Sequence, residues 1–271
     1  MSNELETENV PGDEGLLGRV AIVTGASATA DDGITNGRAA ALLLGRSGAR
    51  VVCVGRRLDS VERTAELIKK AGGEAVAVAG DVTSEDDCRR IVETGFSTFG
   101  RIDFLDNNVG QAHRGSVVSA DIDVWRESWR VNVESQILMS KYAIPAMKET
   151  AGGGSIVNIG SLRALRPQDL GPYATTKGAV IALSRSMAAE HGPEGIRVNC
   201  VVIGPVYTSK MEENMTPDRR EQRRSASLLG IEGTAWDTAN CVRFLLSDYA
   251  RFITGQTIVV DGGASVQGPR R

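Results

Sequence analysis

Seven short, nearly continuous apolar runs, separated by longer amphipathic stretches, constrain this chain more than any other feature. They are Val20–Thr24, Val51–Val54, Ala75–Ala79, Asp103–Asp106, Ser155–Ile159, Arg197–Val202 and Thr257–Val260. A strand with one wet face alternates apolar and polar residues, whereas a parallel strand covered by helices on both faces does not. Between the runs, Arg38–Arg46, Leu58–Ala71, Glu85–Phe99, Asp123–Lys148, Tyr173–His191 and Thr234–Ser247 carry helical periodicity. This alternation predicts an α/β chain with a doubly wound, parallel, seven-stranded sheet. At 271 residues the chain fits one such domain, able to bury roughly three quarters of its unfolded surface. Gly152–Gly154 is too short for a linker and turns a helix into the next strand. We expect one domain over residues 16–264, a disordered N-terminal tail over 1–15 and a C-terminal tail over 265–271.

Composition excludes several classes of function. A net charge of −3 gives no reason to expect nucleic acid or an anionic membrane as partner. No stretch approaches the ~20 apolar residues of a membrane span. The acidic first residues lack the basic and apolar regions of a signal peptide, so a cytoplasmic, reducing setting is expected. Cys53, Cys88, Cys200 and Cys241 are widely spaced and read as core residues or inert thiols, not a disulfide or zinc framework. His113 and His191 are too scattered for a metal cluster, and no metal is expected.

Chemistry concentrates at two places. The first run leads into Gly25-Ala-Ser27, and Gly37 opens the following helix. A helix N-terminus approached by glycine backbone is an anion site suited to a pyrophosphate. The second place is Ser155–Lys177, where a strand ends in Ser161 and a helix carries Tyr173 and, four residues on, Lys177. That spacing puts phenol and ammonium on one helix face. A free phenol titrates near pH ~10, and a neighbouring ammonium favours its ionised form. With Ser161 to hold a substrate oxygen, the three make a proton-transfer site for a carbonyl/alcohol pair.

Ser161 and the Tyr173-x-x-x-Lys177 spacing resemble the catalytic set of the short-chain dehydrogenase/reductase family, and the resemblance extends over residues 15–264. It implies a single-domain Rossmann fold binding NAD(P). Asn132, in Val131-Asn-Val133, matches the family residue that kinks a helix and supports a proton relay through a water held on the freed carbonyl. Asn107-Asn-Val-Gly110 resembles the family's Asn-Asn-Ala-Gly, with Asn108 along the adenosine ribose. Such an asparagine pair is also a turn signal. Gly80-Asp81-Val82 matches the adenine-binding turn, although Asp81 could equally cap the helix beginning near Glu85. In Ile203–Thr208, Ile203 replaces the family's proline, and Val206 and Thr208 would hold the nicotinamide carboxamide. The glycine turn departs from Thr-Gly-x-x-x-Gly-x-Gly: Gly25 is followed only by Gly33-Ile34 and Gly37, with Asp31 and Asp32 inside the lengthened loop, as in the enoyl reductase branch. The implied cofactor cradle is therefore Gly25, Ser27, Gly33, Ile34, Gly37, Arg56, Arg57, Asp81, Val82, Asn108, Gly110, Tyr173, Lys177, Val206 and Thr208. Asn132, Ser161, Tyr173 and Lys177 are the implied catalytic set.

Where an NAD enzyme usually carries an acid to hold the ribose 2′-hydroxyl, the second strand ends in Gly55-Arg56-Arg57. Arg56 would clamp a 2′-phosphate, so NADP(H) is expected over NAD(H), with NAD(H) possible; the alternative is a solvated loop arginine. The arginine-rich stretch Asp218–Arg224 falls in the family's substrate lid and reads as a solvated helix. His113 reads as an exposed loop residue. The expected activity is interconversion of a secondary alcohol and a ketone on a small-molecule substrate. The alternatives are an enoyl reductase, which uses tyrosine and lysine seven apart where this chain has Leu170, and a non-catalytic dinucleotide sensor. Family assembly, with apolar residues such as Ile137, Leu138, Met139, Ile181, Leu183 and Met187 on two long helices, suggests a homotetramer or dimer.

Overall fold

The computed structural model describes residues 14–28, 33–209 and 215–268. Asp31 and Asp32, and most of the expected N-terminal tail, lie outside the described residues. Seven strands form one parallel sheet in the order β3-β2-β1-β4-β5-β6-β9. They are β1 (Val20–Thr24), β2 (Arg50–Gly55), β3 (Ala75–Ala79), β4 (Phe104–Asn107), β5 (Gly154–Ser161), β6 (Ile196–Ile203) and β9 (Thr257–Val260). The helices are α1 (Asn36–Arg46), α2 (Leu58–Lys70), α3 (Glu85–Phe99), α4 (Ile122–Trp129), α5 (Ser135–Ala151), α6 (Gly171–His191), α7 (Pro217–Ser225) and α8 (Ala235–Leu246). The fold is a single Rossmann-like domain, as the alternating pattern predicts.

The strands lack polar alternation because both sheet faces are covered. Val23, Val51, Phe104, Val157 and Val201 pack in one layer with residues of α1, α2 and α8. Ile22, Val52, Leu105, Ile156 and Val198 pack in the other with residues of α3, α5 and α6. A buried side chain of this kind contributes about 1.5–3 kcal/mol. Cys53, Cys88 and Cys200 are buried free thiols and Cys241 is half-buried.

The order in which successive strands are laid down switches side between β1 and β4, which are parallel neighbours in the sheet. A doubly wound sheet opens a crevice at such a point, outside the carboxyl ends of the strands. β5 pairs with β6 from Gly154↔Ile196 to Ser161↔Ile203, which holds Ser161 at the carboxyl end of the sheet.

Three local features depart from the sequence pattern. The stretch expected as one helix over Asp123–Lys148 is two helices joined by a π turn, Arg130–Glu134. A two-residue parallel ladder, β7 (Val206–Tyr207) with β8 (Gly233–Thr234), braces the segment after β6. Residues 14 and 15, expected in the tail, belong to the described structure: Glu14 O accepts from Asp248 N at 2.9 Å, and its carboxylate pairs with Arg243 at 3.2 Å.

Candidate active site

The glycine turn is built from backbone. Gly25 has φ +69°, a left-handed conformation that side chains disfavour. At Gly37 a Cβ would stand 2.3 Å from Gly25 O, so the helix can approach the turn only without a side chain. Thr35 caps α1, accepting from Arg38 N at 3.2 Å and donating to Ser27 O at 2.7 Å. Arg38, fully buried, ties the loop to α2 through Gly33 O (2.9 Å), Ser60 O (3.2 Å) and Thr64 Oγ1 (3.0 Å).

This turn forms one wall of a cleft of about 400 Å³. Of the expected cradle, Gly25, Ser27, Gly37, Arg56, Arg57, Asp81, Val82, Asn108, Gly110 and Thr208 line it. Gly33, Ile34, Tyr173, Lys177 and Val206 do not. Gly33 and Ile34 stand behind the wall, their carbonyls taken by Arg38 and by Ser209 N at 3.0 Å. Val206 is buried within β7, its carbonyl accepting from Arg223 at 2.7 Å. Thr35, Asn36, Thr83 and Arg130 join the lining unanticipated. Thr35 had a readable signal, a threonine just before a helix start. Arg130 had none, because the π turn that follows α4 brings it to the cleft from a distant part of the chain.

The cleft's charge is arranged around Asp81. Burial raises this carboxyl, but hydrogen bonds from Thr83 N (3.0 Å) and Oγ1 (2.8 Å), with Arg130 and Arg56 nearby, outweigh it and hold Asp81 below its ordinary range. The capping role is taken by Ser84, which accepts from Asp87 N at 3.4 Å. Arg57 is engaged by Asp59 at 3.3 and 3.2 Å, so Arg56 is the guanidinium at the end of β2 not held by that carboxylate. His113 is half-buried, not exposed.

The catalytic candidates converge beyond Gly110. A Cβ on Gly110 would lie 3.1 Å from Asn132 Oδ1 and 3.2 Å from Lys177 Nζ, so this glycine lets the loop after β4 pass between them. Asn132, on the π turn, clamps that loop: Oδ1 accepts from Gln111 N at 2.9 Å and Nδ2 donates to Gln111 O at 2.9 Å. Nδ2 also donates to Ser128 O at 3.0 Å. Lys177 Nζ donates to Ile159 O at 2.7 Å and lies 5.8 Å from the centroid of the Tyr173 ring. Burial pushes the Lys177 ammonium down to about 8. Burial pushes the Tyr173 phenol up, while a hydrogen bond with Ser161 and the Arg163 charge act the other way. Lys177 is not among the groups that lower the phenol, contrary to the expectation from spacing. The ammonium is drawn to the end of β5 instead.

Beyond the site, α7 is exposed, yet its arginines do more than meet solvent. Arg220 and Arg223 converge on Glu232 at 3.0 and 2.8 Å, and Arg220 lies 4.4 Å from the centroid of the Tyr207 ring. They fasten the helix to the segment that returns to α8.

Comparison with known proteins agrees with this fold. A family model described as enoyl-(acyl carrier protein) reductase matches residues 26–265. Dehydrogenase/reductase SDR family member 4 of Sus scrofa is 34% identical over 256 residues, covering 92% of this chain and 88% of its own. The crystal structure of a putative short-chain dehydrogenase/reductase from Burkholderia xenovorans superposes with a TM-score of 0.88 at 37% identity, covering 94% of this chain and 99% of that one. A 7α-hydroxysteroid dehydrogenase complexed with NADH and 7-oxo glycochenodeoxycholic acid superposes with a TM-score of 0.84 at 30% identity, covering 93% and 96%. The chain belongs to the short-chain dehydrogenase/reductase family and is an oxidoreductase of that family.

Proposed function

We propose that the protein interconverts a secondary alcohol and a ketone by hydride transfer with a nicotinamide dinucleotide. The observation that carries this reading is that Asn132 and Lys177 flank Gly110 of the cleft lining, with the Tyr173 ring centroid 5.8 Å from the Lys177 ammonium and Ser161 acting on the phenol. Tyr173 gives its proton to the carbonyl oxygen on reduction and takes it back on oxidation. Ser161, whose hydroxyl acts to lower the phenol, positions that oxygen. Lys177, close to the end of its charged range at neutral pH, holds the ribose beside the nicotinamide. Asn132 keeps the Gln111 backbone in place at the mouth of the relay.

The cleft fits a dinucleotide on its own terms. A Cβ at Gly37 would meet Gly25 O at 2.3 Å, Gly25 has the left-handed φ of +69°, and Asn36 Oδ1 is buried there without a hydrogen-bond partner among the described residues. The bound nicotinamide supplies or accepts the hydride at C4. NADP(H) is the preferred form in this reading: Gly55 puts no carboxylate at the end of β2, and Arg56 stands ready to grip a 2′-phosphate. The hydroxysteroid relative crystallised with NADH and a bile-acid ketone supports the alcohol/ketone chemistry. An enoyl reductase would need a phenol at position 170, where this chain has leucine.

A screen of cyclic, steroidal, acyl-carrier and sugar-like ketones with NADPH and NADH tests the proposal. Ketone-dependent oxidation of the reduced cofactor is expected. Turnover of enoyl thioesters alone would favour the enoyl reading, and saturable dinucleotide binding without turnover would favour a sensor. We also propose a homotetramer or dimer. Met139 and Met187 are used by the core, but Trp129 on α4 and Ile137 on α5 remain exposed, as does Phe252 ahead of the edge strand β9. A monomer by light scattering at micromolar concentration would refute this.

A further inference from the structure

The cleft rests on a carboxyl group that alcohol chemistry leaves unused. Asp106, in β4, is completely buried, with Val23 and Val157 as its ladder neighbours. Its Oδ2 accepts a hydrogen bond of 3.0 Å from Nδ2 of Asn108, a residue of the cleft lining. Its Oδ1 has no hydrogen-bond partner among the described residues. Thr24 fastens the same corner from β1, donating to Asp106 O at 3.2 Å and accepting from Asn108 N at 2.9 Å.

Among the described residues, no charge offsets this carboxyl. β1 and β5 carry no charged side chain. On α1, Arg38 is turned to Gly33, Ser60 and Thr64, and Arg46 lies over the Trp236 ring. On α8, Asp237 bonds Thr234, and Arg243 reaches Ser47 and Glu14. Burial pushes the carboxyl up to about 7, the Asn108 hydrogen bond acting the other way.

We propose that Asp106 is a positioning residue for the dinucleotide: it holds the Asn108 amide so that the amide carbonyl faces the cleft, and dinucleotide binding is coupled to proton uptake at Asp106. An amide has two ends. With its NH2 held by Asp106, Asn108 presents an acceptor, the group a ribose hydroxyl needs. The cleft's anion site lies at the adjoining Gly25 turn, where a Cβ would stand 3.4 Å from the Asn108 backbone. A pyrophosphate there opposes ionisation of the buried carboxyl. Coupling is reciprocal, so the protonated form binds the dinucleotide more tightly. Raising the pH through about 7 ionises Asp106 in the free protein, and affinity falls.

This inference rests on reading the cleft as a dinucleotide site, and the experiment separates the two. Calorimetric titration with NADH and with ADP-ribose, neither of which has a 2′-phosphate to titrate, is run at pH 6 and pH 8.5. The proteins are wild type, Asp106→Asn and Asp106→Leu. Two charges ~10 Å apart at an effective dielectric of ~20 imply a loss of roughly tenfold in wild-type affinity across that range. Asp106→Asn keeps an acceptor for Asn108 but has no proton to release, so it loses several-fold less. Lys177 titrates in the same range in both proteins and cancels from the comparison. Asp106→Leu, which removes the acceptor, weakens binding at both pH values; should it fail to fold, the near-isosteric Asp106→Asn carries the test. An identical pH response in wild type and Asp106→Asn overturns the inference, as does wild-type affinity in folded Asp106→Leu. No binding by wild type at either pH overturns the dinucleotide reading and the inference with it.

Discussion

The two ends of the cleft are made of different material. At the glycine turn the walls are main chain: Gly25 at φ +69°, Gly37 pressed against its carbonyl, and a capped helix start behind them. At the reactive end the material is side chains with specific partners: Asn132 is held by the Gln111 backbone and Lys177 by Ile159 O, with the Tyr173 ring beside it. An anion of fixed shape is held by N–H groups and a helix terminus, which every residue supplies, so the requirement there is absence of bulk. Proton transfer needs particular pKa values and distances, which only particular side chains supply. The first end should therefore tolerate changes of polarity but not an added Cβ, and the second should tolerate neither loss nor exchange of its functional groups.

The largest effect expected is at the reactive end. Tyr173→Phe keeps the ring and removes the proton, so turnover should fall about a hundredfold or more with dinucleotide affinity unchanged by calorimetry. Activity within about tenfold of wild type, under ~1.4 kcal/mol of barrier, would remove Tyr173 from the chemistry. Next is Gly37→Val, where the new Cβ meets Gly25 O at 2.3 Å. Dinucleotide binding should weaken at least tenfold while the circular dichroism spectrum stays that of a folded protein; unchanged affinity would mean the turn is not the phosphate wall.

A smaller effect separates the two arginines. Charge-assisted hydrogen bonds contribute about 1.5–3 kcal/mol each, so Arg56→Ala should cost roughly tenfold to a hundredfold in kcat/KM for NADPH against NADH. Arg57→Ala, already paired with Asp59, should cost far less. Equal values for the two cofactors in wild type would make both arginines ordinary surface residues. The smallest effect is on stability. The Asp106 carboxyl is raised in the fold from 3.8 to about 7, so between those values the folded chain binds the extra proton. Wild-type stability relative to Asp106→Asn should therefore fall as pH rises from about 4 to about 7 and level off above. Melting temperatures should register this as a change of a few degrees; parallel curves would show that Asp106 does not titrate in that window.

Tyr173 and Lys177 were legible because a helix converts spacing into a shared face. The glycine turn was legible because a missing Cβ leaves its mark in the residue type itself. What spacing could not convey was the competition among partners: Lys177 bonds the end of β5, Arg57 turns to Asp59, and Arg220 and Arg223 gather on Glu232. Each outcome depends on which acceptor the fold delivers within 3–4 Å.

The class of fold, the number of strands and the two ends of the cleft were determined by the sequence alone, since apolar periodicity and glycine placement are local properties that burial on both sheet faces enforces. The tertiary structure alone decided how the charges sort. It divided the long fourth helix at Asn132, brought Arg130 across to Thr83, and left Asp106 beneath Asn108 with no counter-charge among the described residues. The physical reason is that a titratable group's state depends on its desolvation and its neighbours, and those are set by elements far apart in the chain.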